Sequence, residues 1–297
     1  MYKWLGKIKG WLEVTSKRIR LPGFEGLPLY DVATFFFKGI YEGAITTRAS
    51  SLAFNFFLAI FPSIIFLFTL IPYVPIANFQ NTLFDLLRDV MPKAAFEASE
   101  ETITDIIKNQ HGGLLSVGFL SALFFSTNGV NSMIDGFNNS YHAMETRSIF
   151  KQRLVSLQLV LITTLLLLAA ITFIIYSEVI LSKLPLGVGS YYPLQIGRFL
   201  VLFMLFFIVI SFNYYLGPAS KTGWKFFSAG SIFATVLSLL TSMAFAYFVN
   251  HFGNYNKLYG SIGTLIIVLL WIYFNSIVLL LGFELNVSIY SAKRKEP

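Results

Sequence analysis

The chain has 297 residues, of which 56% are hydrophobic, 17% are aromatic and only 12% are charged. A soluble domain usually carries about 25% charged residues, so this composition excludes an ordinary soluble enzyme and a disordered tail. The absence of cysteine excludes disulfides, thiolate nucleophiles and cysteine-based metal sites, and a formal net charge of +7 is typical of a membrane protein with basic cytoplasmic loops.

The first 47 residues contain two stretches with a helical period. In residues 1–20 the apolar positions, which include Trp4 and Trp11, share one face and basic residues occupy the others. This pattern predicts an amphipathic helix on an anionic cytoplasmic leaflet, with a docking site for a partner as the alternative. A second apolar stripe at residues 32–40 follows Asp31 as its predicted N-cap. We therefore assign residues 1–47 to cytoplasmic amphipathic or interfacial helices.

Six apolar segments are long enough to cross a bilayer, which needs about 20 residues. They cover residues 49–71, 113–133, 155–177, 198–216, 226–249 and 260–281. We expect an all-α polytopic membrane protein, with a six-helix transmembrane domain at residues 48–284 and a basic cytoplasmic tail at residues 285–297. The long connection at residues 72–112 keeps a helical period and carries six acidic residues. It is predicted as a helical extracytoplasmic loop, either a solvated cap or a surface that collects ligands.

Lysine and arginine residues fall mainly on one side of these spans. Sixteen of the 22 lie before the first span, after the second and fourth spans, or in the tail, whereas five lie in the opposite loops. Because basic residues accumulate in cytoplasmic loops, both termini are predicted to be cytoplasmic.

The end of the second span carries a polar stripe along one helical face. Asn128, Asn131, Asp135 and Asn138 recur at intervals of three and four residues. Acyl chains offer such side chains no hydrogen-bond partners, so the stripe must face protein or a water-filled cavity. Counting about 1.5 Å per residue along the spans puts further polar residues in the same half of the membrane or at its mouth: Arg48, Ser51, Asn55, Asn213, Asn275 and Glu284.

Two interpretations fit these ten residues. In the first, they line a cytoplasm-facing polar cavity that binds substrate, and Arg48 pairs with Asp135. In the second, the amides only connect neighbouring helices, where each hydrogen bond contributes on the order of 0.6 kcal/mol. The concentration of these residues in one half of the membrane favours the cavity, and helix packing remains the alternative.

Three segments have a distinctive order of residues. They are RASSLAFNFFLAIFPSIIFLF at 48–68, GGLLSVGFLSALFFSTNGVNSMIDGFNNSY at 112–141 and YGSIGTLIIVLLWIYFNSIVLLLGFELN at 259–286. These segments resemble the YihY/BrkB family of bacterial integral membrane proteins, formerly described as ribonuclease BN. The resemblance covers about residues 30–290. It implies six spans and a location in the bacterial cytoplasmic (inner or plasma) membrane, and it brings no established biochemical activity.

The histidines argue against the nuclease name. Metal-dependent hydrolysis needs clustered histidines and carboxylates that hold one or two ions. His111, His142 and His251 lie in three separate loops without metal-ligand spacing, and His142 with Glu145 is the one local acid–base pair. We therefore expect a protein that is not an enzyme, with no catalytic residue, no metal, no cofactor and no nucleic-acid partner.

The expected function is transport or flipping of a lipid-like or amphiphilic substrate, with membrane lipids as the partners. Arg48 would bind an anionic headgroup, since guanidinium groups pair strongly with carboxylates and phosphates. The alternative is a non-catalytic membrane scaffold or envelope-integrity protein, in which the basic N-terminal helix and the acidic loop are the working surfaces. A homo-oligomer is compatible with both.

Overall fold

The computed structural model describes residues 16–73, 81, 84, 100–101, 104–106, 109–140, 145–183, 188–219, 225–251 and 261–295. Within these ranges the named elements are helices, and an isolated antiparallel bridge joins Arg20 to Pro28. The long helices are α1 (Leu29–Glu42), α2 (Ile45–Leu70), α3 (Gly112–Asn138), α4 (Ile149–Lys183), α5 (Val188–Leu216), α6 (Ala229–His251) and α7 (Ser261–Lys295). The predicted all-α class is confirmed.

Helices α2 to α7 are each long and apolar enough to cross a membrane, which confirms the six predicted spans. The last helix, α7, has 35 residues and ends at Lys295, so residues 285–295 of the predicted basic tail are helical. The helix continues because its final turns are packed: Ile289 and Ala292 form a buried cluster with Phe24, Leu27 and Val32.

Helix α1 packs on α7 and begins one turn earlier than its predicted cap. Pro28 occupies the N-cap position and Asp31 lies in the first turn, where a negative charge interacts favourably with the helix dipole. Gly39 is buried, whereas Tyr41 is 90% exposed. Residues 1–15 of the predicted helix at residues 1–20, and most of the loop at residues 72–112, lie outside the described residues.

The chain separates into two compact units, residues 54–129 and the remainder. In the smaller unit α2 and α3 run antiparallel, because Gly129 lies against Phe56 and Gly118 against Phe66. A Cβ added at Gly118 would lie 3.3 Å from the backbone of Phe66. Glycine therefore allows the two helices to approach closely, as is common between membrane helices.

In the larger unit α6 and α7 also form an antiparallel pair. Gly230 lies against the carbonyl of Gly282, and the Nε1 of Trp271 donates to Ser242 Oγ at 3.2 Å. Ala234 lies one turn after Gly230 on the same face of α6 and is fully buried. Such small residues allow the backbones of two membrane helices to approach closely.

A reciprocal cap sets the start of α6. The backbone N–H of Ser231 donates to Ser228 Oγ, and that of Ser228 donates to Ser231 Oγ, both at 3.1 Å. This capping box places the first helical residue at Ala229, whereas the apolar segment in the sequence begins at residue 226.

An aromatic core lies beside the polar residues of the larger unit. Phe137 stacks on Phe283 with ring centroids 4.4 Å apart, and the Tyr214 hydroxyl donates to the carbonyl of Leu279 at 2.6 Å. Phe137 and Phe283 immediately precede Asn138 and Glu284, so this packing fixes the positions of two predicted site residues.

Candidate functional site

A buried ion pair connects α2 with α7. Arg48 Nη2 lies 3.6 Å from Glu284 Oε2, and the two side chains are 11% and 0% exposed. Arg48 Nη1 also donates to the carbonyl of Gly136 at 2.7 Å, and Ser140 Oγ donates to Glu284 Oε2 at 2.9 Å. We term these four residues, together with Gly39, the buried ion-pair site.

Gly39 brings the backbone of α1 directly against the carboxylate of Glu284. A Cβ added at Gly39 would overlap Glu284 Oε1, so only glycine fits this position without movement of the acid. Sequence reasoning missed Gly39. The available signal was its position seven residues after Val32, on the buried face of the same helix.

The buried ion-pair site contains unsatisfied polar atoms. Arg48 Nε and Nη2 and Glu284 Oε1 are buried without a hydrogen-bond partner among the described residues. A buried donor or acceptor left unpaired costs about 1–3 kcal/mol, and more when it is charged. The site therefore has hydrogen-bonding capacity for an additional polar group, and the guanidinium favours an anionic one.

A second cluster joins α3 to α4. Gln152 Nε2 donates to Asn131 Oδ1 at 3.0 Å and to Asp135 Oδ1 at 2.5 Å, while Asn131 Nδ2 donates to Asp135 Oδ2 at 3.0 Å. Sequence reasoning missed Gln152, whose polar side chain in the first turn of α4 was the available signal.

Arg48 therefore has a different ion-pair partner from the predicted one. The structure pairs it with Glu284, and Asp135 is bound by the amides of Asn131 and Gln152. The side chain of Asp135 lies on a different face of α3 from the Gly136 carbonyl that Arg48 contacts, because successive residues of a helix are about 100° apart.

The other predicted residues have local partners. Asn138 Oδ1 accepts the backbone N–H of Ala219 at 2.7 Å, which links α3 to the segment after α5. Asn213 and Asn275 donate to carbonyls one turn earlier in their own helices, at 2.8 and 2.9 Å. Ser51 is exposed, whereas Asn55 and Asn128 are half-buried in the smaller unit. The hydrogen bonds thus divide the predicted residues of the larger unit into separate groups.

Arg147 binds the backbone carbonyls at the C-terminal end of α5. Sequence reasoning also missed this residue. Its Nη1 donates to the carbonyls of Leu216 and Gly217 at 3.2 and 3.1 Å, and its Nη2 donates to that of Pro218. Burial lowers the pKa of the Arg147 guanidinium from its ordinary value. A cation at this position stabilises the carbonyl end of a helix.

A cavity of about 430 Å³ opens in the larger unit, where α6 begins and α7 ends. Its lining includes Gly23, Glu25, Lys225, Phe227, Asn286 and Lys293. Glu25 bridges the two ammonium groups, with Lys225 Nζ at 2.7 Å and Lys293 Nζ at 2.6 Å. Hydrogen bonds from Lys225 and Lys293 hold the pKa of Glu25 below its ordinary value. None of the ten predicted site residues lines this cavity, which we term the Glu25 pocket.

In the described parts of the chain, no three His, Asp or Glu side chains are grouped so that they could hold a metal ion.

Comparison with known proteins places the chain in a family. The family model described as "Virulence factor BrkB" matches residues 36–297. The chain belongs to the BrkB family. It is 30% identical over 264 residues to the ribonuclease-like protein YfkH of Bacillus subtilis (strain 168), covering 86% of this chain and 93% of that protein. It is 27% identical over 253 residues to a UPF0761 membrane protein of Aggregatibacter aphrophilus (strain NJ8700), covering 85% and 89% of the two chains.

A UPF0761 membrane protein of Haemophilus influenzae (strain 86-028NP) is 23% identical over 265 residues. No solved structure gives a significant match. The names of these relatives refer to a membrane protein or, for the Bacillus protein, to a ribonuclease-like protein. The BrkB match includes Arg48 and Glu284 of the buried ion-pair site, whereas Glu25 lies before its first residue.

Proposed function

We propose that this BrkB-family protein moves an amphiphile with an anionic headgroup across the membrane, and that Arg48 binds the headgroup. The supporting observation is a guanidinium in a helix long enough to cross a membrane, with two nitrogen atoms that lack hydrogen-bond partners among the described residues. Ionisable groups in membrane helices are costly, so they commonly mark a substrate or ion pathway.

The geometry around Arg48 supports anion exchange. The hydrogen bond from Nη1 to the Gly136 carbonyl fixes the guanidinium, while Nε and Nη2 have donors for a ligand. Glu284 is the resident anion, and at 3.6 Å from Nη2 its carboxylate lies beyond a direct hydrogen bond. A headgroup carboxylate or phosphate displaces Glu284 from Arg48. Return of Glu284 then releases the headgroup, so the buried guanidinium always has an anion nearby.

The outer surfaces of the helices support an amphiphile over a purely polar solute. Large apolar side chains are exposed on these helices: Phe54 and Leu67 on α2 are 57% and 58% exposed, and Leu165 on α4 is 66% exposed. Acyl chains can contact such surfaces while the headgroup occupies polar surroundings.

Reconstitution into liposomes tests the proposal. Fluorescent phosphatidylglycerol is placed in one leaflet, with fluorescent phosphatidylcholine as the zwitterionic comparison, and transfer between leaflets is followed by quenching. We expect wild-type protein to transfer the anionic lipid faster. Arg48→Gln should slow transfer at least about tenfold, because it removes the charge-assisted contacts, and Arg48→Lys should restore only part of the rate, since an ammonium lacks the planar fork.

The matched control is Lys151→Gln, which removes an exposed positive charge from the first turn of α4. This variant should transfer lipid at the wild-type rate. Folding of every variant is checked by gel filtration and thermal unfolding. Folded wild-type protein that transfers neither lipid would overturn the proposal in favour of a membrane scaffold, and so would equal rates for wild type and a folded Arg48→Gln variant.

A further inference from the structure

The Glu25 pocket has the composition of an anion-binding site. Its two ammonium groups face a single carboxylate, which leaves one positive charge in excess. Each ammonium has three N–H donors, and the structure directs one donor of each towards Glu25. The side chains of Lys225 and Lys293 are 66% and 62% exposed, whereas that of Glu25 is 23% exposed. The cationic groups are therefore the accessible part of the cluster.

The backbone holds Glu25 in a constrained position. It has a φ of 54°, in the left-handed region that a residue with a side chain rarely adopts, and it lies between Gly23 and Gly26, whose φ values are 90° and 85°. Such a conformation persists only where its surroundings favour it, and it is common in ligand-binding segments. The constrained turn holds one carboxylate between Lys225, in the segment before α6, and Lys293, near the end of α7.

The walls of the pocket combine polar and apolar groups. Asn286 is fixed, because its Oδ1 accepts the Gly230 N–H at 2.8 Å and its Nδ2 donates to Ser228 Oγ at 2.9 Å. Phe227 is 68% exposed and gives the rim an aromatic side chain, the type of residue enriched where membranes meet water. A volume of about 430 Å³ is within the range of small-ligand pockets and larger than a bare anion requires.

We propose that the Glu25 pocket binds a phosphate group, carried by a lipid headgroup or free in solution, between the ammonium groups of Lys225 and Lys293. Glu25 acts as the competing anion that the phosphate displaces. The site shares no residue with the buried ion-pair site and does not depend on the transport proposal. It also differs from a purely structural salt bridge in one respect: removal of the carboxylate should improve binding.

Lipid binding to the full chain in neutral detergent tests this site by native mass spectrometry, with phosphatidylglycerol as the probe. Glu25→Gln should raise the affinity about threefold, and Lys225→Gln with Lys293→Gln should lower it about tenfold, because exposed ionic contacts each contribute a few-fold. A charge-matched double variant, Lys38→Gln with Lys151→Gln, should bind as wild type. Inorganic phosphate is then added as a competitor.

The outcomes separate the two sources of phosphate. Loss of bound lipid on addition of inorganic phosphate, together with calorimetric binding of phosphate alone, supports a free anion as the ligand. Retention of the lipid supports a headgroup. Equal losses in the two double variants would overturn the proposal, and so would unchanged or weaker binding in a folded Glu25→Gln variant. The thermal midpoint of each variant identifies any loss that is due to unfolding.

Discussion

Glu284 is held by a guanidinium, a hydroxyl and the backbone of a glycine, and each contact restricts which residues the surrounding positions accept. The strictest restriction is at Gly39, where any side chain overlaps Oε1 of the acid. The acid is also fully buried, so relief of the overlap requires its packed neighbours to move.

Gly39→Ala should lower the free energy of unfolding by about 1–3 kcal/mol, because an extra methyl group in a filled site forces its neighbours to move. The measurement is thermal or chemical unfolding in detergent. Gly197→Ala is the matched control, since its Cβ would meet nothing within 4 Å. That variant should be stabilised by up to about 1 kcal/mol, because alanine favours a helix over glycine. Equal effects at the two positions would contradict the close packing at Gly39.

The buried ion pair should show strong coupling between its two members. Arg48→Met or Glu284→Met alone leaves a buried charge without its partner and should destabilise the protein by about 3–5 kcal/mol, whereas the double variant should regain most of that loss. Unfolding of all four proteins gives the coupling energy. The stable double variant should still fail to transfer anionic lipid, and transfer by it would assign the pair to packing alone.

At the scale of elements, the start of α6 depends on the reciprocal cap between Ser228 and Ser231. Ser228→Ala removes the acceptor for the Ser231 N–H and the hydroxyl that receives the Asn286 amide. We expect a loss of about 1 kcal/mol, which is typical of a helix cap, with faster hydrogen exchange in the first turn of α6. Ser116→Ala, whose hydroxyl bonds only to its own helix at Gly112 among the contacts described, should have little effect. Comparable losses would contradict the assigned cap.

The turn that carries Glu25 should depend on pH. Because Lys225 and Lys293 hold the pKa of Glu25 below its ordinary value of 4.5, the bridge contributes its full stability above that pH. The contribution is lost as the pH falls through the lowered pKa. Hydrogen exchange at the amide of Leu29, which donates to Ile19 across the turn, should accelerate in that range. Glu25→Gln should abolish this pH dependence, and its persistence in that variant would assign the effect to another group.

At the scale of the whole molecule, the distribution of basic residues predicts which ends of the helices face the cytoplasm. The chain lacks cysteine, so a single introduced cysteine can be labelled without a background. Lys151→Cys and Lys293→Cys should react with an impermeant reagent only from the cytoplasmic side, and His251→Cys only from the opposite side. The converse labelling pattern would reverse the predicted orientation.

The spans were predictable from the sequence because each one is a long apolar segment, a signal that depends on local composition. The hydrogen-bond and ion-pair partners of the polar residues were harder to predict from the sequence. Counting depth along the spans placed Arg48 and Glu284 in one candidate set. The contact between them joins positions 236 residues apart and depends on how each helix is rotated. The Glu25 pocket could not be predicted for a related reason. Gly23 and Gly26 indicate a turn, but the sequence does not show that this turn places Glu25 between Lys225 and Lys293.

The length of α7 links the two sites mechanically. Its 35 residues correspond to a rod of about 52 Å, well beyond a hydrocarbon layer of about 30 Å. Glu284, Asn286 and Lys293 all stand on this uninterrupted rod. Because α7 is one continuous helix, a rigid tilt that moves Glu284 relative to Arg48 would also move Lys293, so the buried ion-pair site and the Glu25 pocket are coupled through the same helix.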